Sequence, residues 1–182
     1  MQNLNQLLFV TLLFISYNTF AQTTIFIVRH AEKAATPSND PDLSAEGKAR
    51  ATELANLLKD QKIVAVFSTA YKRTTQTAEP TLKQAVLPAV KNYDPSDLPT
   101  FARQALSQYI GKTILVVGHS NTVIPTLKAF GAEKPFDTLD DEDYDWLFEI
   151  TIDDNDKATL EVKRYGVAHH SSNPFPKSNM MQ

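Results

Sequence analysis

Apolar residues along the chain follow two rhythms. Ile25-Phe26-Ile27-Val28, Ile63-Val64-Ala65-Val66-Phe67 and Ile114-Leu115-Val116-Val117 are unbroken runs rich in β-branched residues. Such runs mark strands buried on both faces, as in a parallel sheet covered by helices. Between them the spacing changes to three and four. Ala51, Leu54, Ala55 and Leu58 share one face of a helix that Ser44 caps and that ends near Asp60. Leu98, Phe101, Ala102, Ala105, Leu106 and Tyr109 share another, with Gly111 as its stop. Thr74 to Ala85 predicts a helix that Pro80 kinks or ends early, and a further helix runs from the turn Gly118-His119-Ser120-Asn121 to Phe130, with Gly131 as C-cap.

Strand, turn and helix thus recur three times, and right-handed crossovers of this kind build an α/β fold. The expected architecture is a three-layer α/β/α sandwich with a mostly parallel central sheet. Leu147 to Ile152 and Ala158 to Arg164 predict an antiparallel hairpin at one edge, joined by the turn Asp153-Asp154-Asn155-Asp156-Lys157. Val86 to Tyr93 reads as a weaker extended stretch leading into Asp94-Pro95-Ser96-Asp97.

The pattern at the two ends differs. Leu7 to Tyr17 is a short apolar run followed by Asn18-Thr19-Phe20-Ala21, which reads as a signal peptide over residues 1–21 cut after Ala21, although Met1 to Gln6 carry no Lys or Arg. The run is shorter than the ~20 residues a spanning helix needs, so stable membrane insertion after cleavage is not expected. Residues 22–168 then form one domain, and the segment from His169 to Gln182, with two prolines, reads as a loosely ordered tail. The expected location is periplasmic or extracellular.

Composition narrows the chemistry. The 182 residues are 42% apolar and 21% charged, which is ordinary for a globular domain. There is no cysteine, which removes disulfides, thiolate nucleophiles and Cys-based zinc sites. A net charge of −3 without a basic stripe sets nucleic acid aside. The acidic run Asp137 to Asp145 lacks the ligand spacing and glycine of an EF-hand and reads as a solvated loop. His169-His170 has no third metal ligand nearby in the chain, and Glu32 and Lys33 read as solvated loop charges or orienting groups.

Candidate chemistry collects at the ends of the strands. Arg29 and His30 follow the first, Arg73 comes shortly after the second, and His119 follows the third. Open α/β sheets bind ligands at the carboxyl ends of their strands. Two guanidiniums and two imidazoles on one rim form an anion pocket, because the planar fork of arginine matches phosphate oxygens in pairs.

The ordered blocks Arg29-His30-Ala31-Glu32, Leu43-Ser44-Ala45-Glu46-Gly47, Ser68 with Arg73-Thr74-Thr75-Gln76-Thr77-Ala78, and Val117-Gly118-His119-Ser120 resemble the histidine phosphatase superfamily, also called phosphoglycerate-mutase-like. The resemblance implies that His30 is the nucleophile and that Arg29, Arg73 and His119 bind the phosphoryl group. It implies a phosphatase acting on a phosphorylated small molecule or phosphoprotein, through a phosphohistidine and without metal or other cofactor. Phosphoryl transfer is mostly electrostatic positioning, which fixed cations can supply. A phosphomutase, a phosphoanion-binding module without turnover, and a structural surface protein are the alternatives.

Many members carry a glutamate between the second arginine and second histidine, followed by a glycine and tryptophan signature that this chain lacks. Asp94 is the expected general acid, its pKa raised by partial burial, with Asp97 second and Glu32 third. The testable consequence of the amino-terminal pattern is export. Intact-mass measurement of the secreted protein is expected to show a chain beginning at Gln22, and a mature chain beginning at Met1 would refute it.

Overall fold

In the computed structural model, which describes residues 22–170, a six-stranded sheet carries helices on both faces. The expected signal segment and Ser171 to Gln182 lie outside the described residues. In chain order the elements are β1 (Thr23–Arg29), α1 (Ala45–Leu58), β2 (Ile63–Ser68), α2 (Lys72–Gln84), β3 (Lys91–Asn92), α3 (Leu98–Gln108), β4 (Thr113–Gly118), α4 (Ser120–Ala129), β5 (Trp146–Ile152) and β6 (Ala158–Arg164). The strand order is β3-β2-β4-β1-β5-β6. The first four strands of that order run parallel, while β5 pairs antiparallel with both β1 and β6. The α/β class, the parallel centre and the antiparallel edge hairpin agree with the sequence pattern.

Alternation along the strands builds the layers. Ile25 and Ile27 of β1 pack with Ile114 and Val116 of β4 against Phe101 and Ala105 of α3 and Val123 and Leu127 of α4. Phe26 and Val28 turn the other way, with Leu115 and Val117, onto Leu54 and Leu58 of α1 and Ala78 of α2. Successive side chains of a strand point to opposite faces, so strands apolar at every position need covers on both.

Several local expectations change. The stretch from Val86 contributes to the sheet only at Lys91–Asn92, because Val86 itself takes φ +54, a left-handed turn rather than extended backbone. α2 begins at Lys72 and passes through Pro80 to Gln84; Thr74, Thr77, Ala78 and Thr81 bury one continuous face that holds the helix together across the proline. The acidic run is not simply solvated, since Asp143 and Asp145 are buried. Asp145 binds Arg164 and His170, and its carboxylate accepts the amide of His169 at 3.2 Å. The start of the expected loose tail is therefore fastened, because His169 and His170 meet carboxylates.

Gly47 shows why α1 starts where it does. Ser44 accepts the amide of Gly47 as N-cap, while its own amide donates to the carbonyl of Glu32 at 2.9 Å. A Cβ on Gly47 would lie 2.1 Å from that same Glu32 oxygen. The first turn of α1 therefore presses directly on the loop that follows β1. Gly47→Ala is expected to cost about 1–3 kcal/mol through overpacking against backbone. Urea denaturation checks this, and an unchanged midpoint would show that the loop yields freely.

Candidate active site

The site begins with the pairing of β1 and β4. Their register sets Arg29 opposite Gly118, and the amide of His30 continues the ladder by donating to the Gly118 carbonyl at 2.9 Å. The next residues on the two strands are therefore neighbours. The rings of His30 and His119 lie 5.4 Å apart, edge to face.

His30 is buried, and its Nδ1 lies 2.8 Å from the carbonyl oxygen of Ala31. A carbonyl only accepts, so Nδ1 carries the proton and Nε2 keeps its lone pair. Burial, together with the charges of Arg29 and Arg73, pushes the pKa of His30 down to about 3. The ring is thus a neutral base with its tautomer set by the main chain. A second bond fixes that main chain: the Ala31 amide donates to Oγ1 of Thr77 at 2.9 Å, and this hydroxyl donates to the Arg73 carbonyl at 2.7 Å. The loop after His30 and the helix that carries Arg73 are joined through one buried hydroxyl.

His119 is oriented by a similar chain. The Thr74 hydroxyl donates to the carbonyl of Tyr71 at 2.8 Å, which leaves Thr69 Oγ1 to donate to Thr74 Oγ1 at 2.9 Å. Thr69 Oγ1 then accepts from His119 Nε2 at 2.8 Å. The remaining nitrogen, Nδ1, accepts from Nη2 of Arg73 at 3.4 Å. Burial, with Arg73 and Arg29 nearby, pushes this ring down to about 4.

The two arginines are held differently. Arg29 Nη1 donates to the carbonyls of Asp140 and Asp141 at 2.8 and 2.9 Å and more weakly to that of Asp143 at 3.3 Å. Its guanidinium stacks 4.1 Å from the centre of the Tyr144 ring. Nε is buried without a hydrogen-bond partner among the described residues, and Nη2 has only Asp141 at 3.7 Å. One edge of the fork is thus fixed by backbone oxygens, while the guanidinium keeps its charge at the cavity that Arg29 lines. Arg73 lies 4.4 Å above the Tyr71 ring, with Asp40 3.8 Å from Nη1. Arg29, His30, Arg73 and His119 line one open cavity of about 320 Å³, with Lys33, Asn121 and Asp141 at its rim. The four residues expected on one rim are brought together.

The expected general acid is not in this arrangement. Asp94 is exposed and lines a different cavity, against Tyr93, Phe101 and α3, while Pro95 reaches the rim. Hydrogen bonds from the hydroxyl and amide of Ser96 hold its carboxyl below the ordinary value, opposite to the expected rise. Asp97 caps α3 through the amide of Thr100. Glu32 is buried rather than solvated: Arg50 Nε donates to both its oxygens at 2.9 and 3.0 Å. Burial pushes this carboxyl up, but the bonds from Arg50 and His169 outweigh it and hold it low. Among the described residues, no group of three or more His, Asp or Glu side chains is placed to hold a metal ion.

Sequence reasoning missed Tyr71, Thr69, Thr77, Tyr144 and Asp141. The threonines stand in a visibly Thr-rich block, but Tyr144 and Asp141 sit in an acidic run with no signal beyond the aromatic ring itself.

Residues 25–94 match the family model of the histidine phosphatase superfamily (branch 1). None of the curated proteins compared matches in sequence. Among solved structures, the protein histidine phosphatase SixA complexed with tungstate superposes with a TM-score of 0.62 at 21% identity, over 78% of this chain and 96% of that one. The mycobacterial glucosyl-3-phosphoglycerate phosphatase gives 0.63 at 10% identity, over 80% and 100%. A phosphoserine phosphatase mutant from Entamoeba histolytica in complex with phosphoserine gives 0.55 at 12% identity, over 79% and 96%. Residues 25–94 are therefore similar in sequence to the histidine phosphatase superfamily, and most of the chain shares the fold of these solved structures.

The tautomer and low basicity of His30 are directly measurable. Ring nitrogen shifts are expected to stay those of a neutral Nδ1–H imidazole from pH 8 down to about 5, well above the midpoint near 3. A midpoint near the usual ~6.5 would show that the ring is not desolvated.

Proposed function

We propose that this protein is a phosphatase that hydrolyses phosphate monoesters or protein phosphohistidine through a covalent intermediate on His30. The observation that carries the reading is the bond from His30 Nδ1 to the Ala31 carbonyl, which leaves Nε2 unprotonated at a cavity that Arg29, Arg73 and His119 also line. Nε2 attacks phosphorus in line, the bond to the leaving group breaks, and a phosphohistidine forms. Charge on the equatorial oxygens is met by Arg29 and Arg73, both lining the cavity before the substrate arrives. Water entering the open cavity then hydrolyses the phosphohistidine and releases phosphate.

The leaving group takes its proton at the rim. Asp141 is the carboxyl group that lines the cavity there, whereas Asp94 is turned to a separate one. The reaction is proposed to need no metal, because two guanidiniums supply the positive charge. Neighbours described as acting on protein phosphohistidine or holding phosphoserine support a phosphorylated substrate. A mutase must exclude water to hand the group back. The open cavity favours hydrolysis. Export is part of the proposal, and the apolar run Leu7 to Tyr17 supports a substrate outside the cytoplasm.

Phosphate release is expected to persist in excess chelator and to disappear in His30→Ala, with acid-labile phosphate trapped on the wild-type chain only. Arg73→Ala is expected to lose about 3–4 kcal/mol of transition-state stabilisation, comparable with one oxyanion donor. Activity that requires added metal, or normal turnover without the imidazole, would overturn the proposal.

A further inference from the structure

Next to Arg29, three segments distant in the chain meet at one imidazole. His169 places Nδ1 2.8 Å from Oε1 of Glu32 and Nε2 3.2 Å from Oε2 of Glu142. Ionised carboxylates only accept hydrogen bonds, so the two contacts together require a proton on each ring nitrogen. The main chain adds two ties at the same place: the His169 amide donates to Asp145, and its carbonyl accepts the Tyr144 amide at 3.0 Å. The ring itself lies 4.9 Å from that of Tyr144.

The segment fastened in this way carries the groups that hold Arg29. The carbonyls of Asp140, Asp141 and Asp143 accept from Nη1, and Tyr144 stacks on the guanidinium. Glu32, at the other side of His169, stands two residues beyond His30 and is itself anchored by Arg50, which also donates to the Tyr165 and Val167 carbonyls at 3.0 and 2.8 Å. We propose that His169, as an imidazolium, is a positioning residue for the anion site, tying Glu142 to Glu32 so that the 140–145 segment stays clamped on Arg29. Loss of its proton breaks one of the two ties and weakens anion binding. The inference rests on the phosphoryl-binding role proposed for Arg29.

Charged groups around His169 favour the protonated ring. The Glu32 hydrogen bond raises its pKa first and Glu142 adds to this, against burial and the charge of Arg50. Asp145 faces the adjoining backbone and is shared with Arg164 and His170, and Glu46 and Glu53 of α1 line the same cavity as His169. In the unliganded protein His30 and His119, pushed down to about 3 and 4, are neutral above pH 5, and His169→Lys separates any proton they take up with the anion from the titration of His169.

Calorimetric titration with sulfate provides the test, because its charge is constant from pH 5 to 9. Wild type is expected to bind about fivefold or more tightly at pH 5.5 than at pH 9, within the usual range of coupling between sites. His169→Lys, whose ammonium stays charged throughout, is expected to keep tight binding at pH 9, and His169→Gln to bind weakly at both. If His169→Gln does not fold, Glu142→Gln, altered at an exposed carboxylate, is expected to lose most of the pH dependence. An alkaline loss that persists in His169→Lys, or a full pH dependence in Glu142→Gln, would overturn the proposal. Sulfate binding that is present and indifferent to His169 overturns this inference alone, whereas no binding by wild type at any pH overturns the anion site as well.

Discussion

The whole site depends on one piece of backbone pairing. β1 and β4 are adjacent and parallel, and their last bond runs from the His30 amide to the Gly118 carbonyl. Parallel neighbours end at the same level, so the residues that follow them project from one edge of the sheet. This alone brings two imidazoles, far apart in the chain, to a ring separation of 5.4 Å. Gly118 contributes by its smallness, since a Cβ there would lie 2.9 Å from Thr122 Oγ1 and 3.1 Å from the Tyr93 hydroxyl.

Around that pairing the protein buries a set of polar and charged side chains. Glu32 and Arg50 form an ion pair with both partners nearly inaccessible, and Thr69, Thr74 and Thr77 are fully enclosed. Breaking such a pair by removing one partner typically costs about 3–5 kcal/mol, although an apolar replacement of both can be neutral. The pair therefore secures position rather than net stability. It pins the loop after His30 to α1, while Thr77 pins the same loop to α2. Every hydroxyl in the chain from Thr74 to His119 has a direction forced by a carbonyl that can only accept.

The electrostatics follow from the same enclosure. Each guanidinium rests on a tyrosine ring, Arg29 on Tyr144 and Arg73 on Tyr71, an arrangement that holds a cation in place without neutralising it. Positive charge and burial then act in the same direction on both histidines and keep them uncharged at neutral pH. A site with neutral imidazoles and permanently charged arginines is suited to receive an anion.

Much of this was legible in the chain itself. Unbroken apolar runs specified β1, β2 and β4, which are buried on both faces apart from Val64 in β2, and the polar residues at or shortly after their ends marked the rim, including Arg29, His30, Arg73 and His119. Local patterns failed where geometry is set by distant partners. Asp94 looked suited to proton donation because it precedes a proline, yet Ser96 and the course of the chain turn it to another cavity. Glu32, Asp143 and Asp145 looked solvated because charge usually is; Arg50 on α1 encloses Glu32, Arg164 and His170 meet Asp145, and the loop itself is folded onto Arg29 through carbonyl oxygens. The proton position on His30 belongs to the same class. Sequence alone specified the imidazole, but only the turn of the backbone that brings the Ala31 carbonyl to 2.8 Å decided which nitrogen is left free.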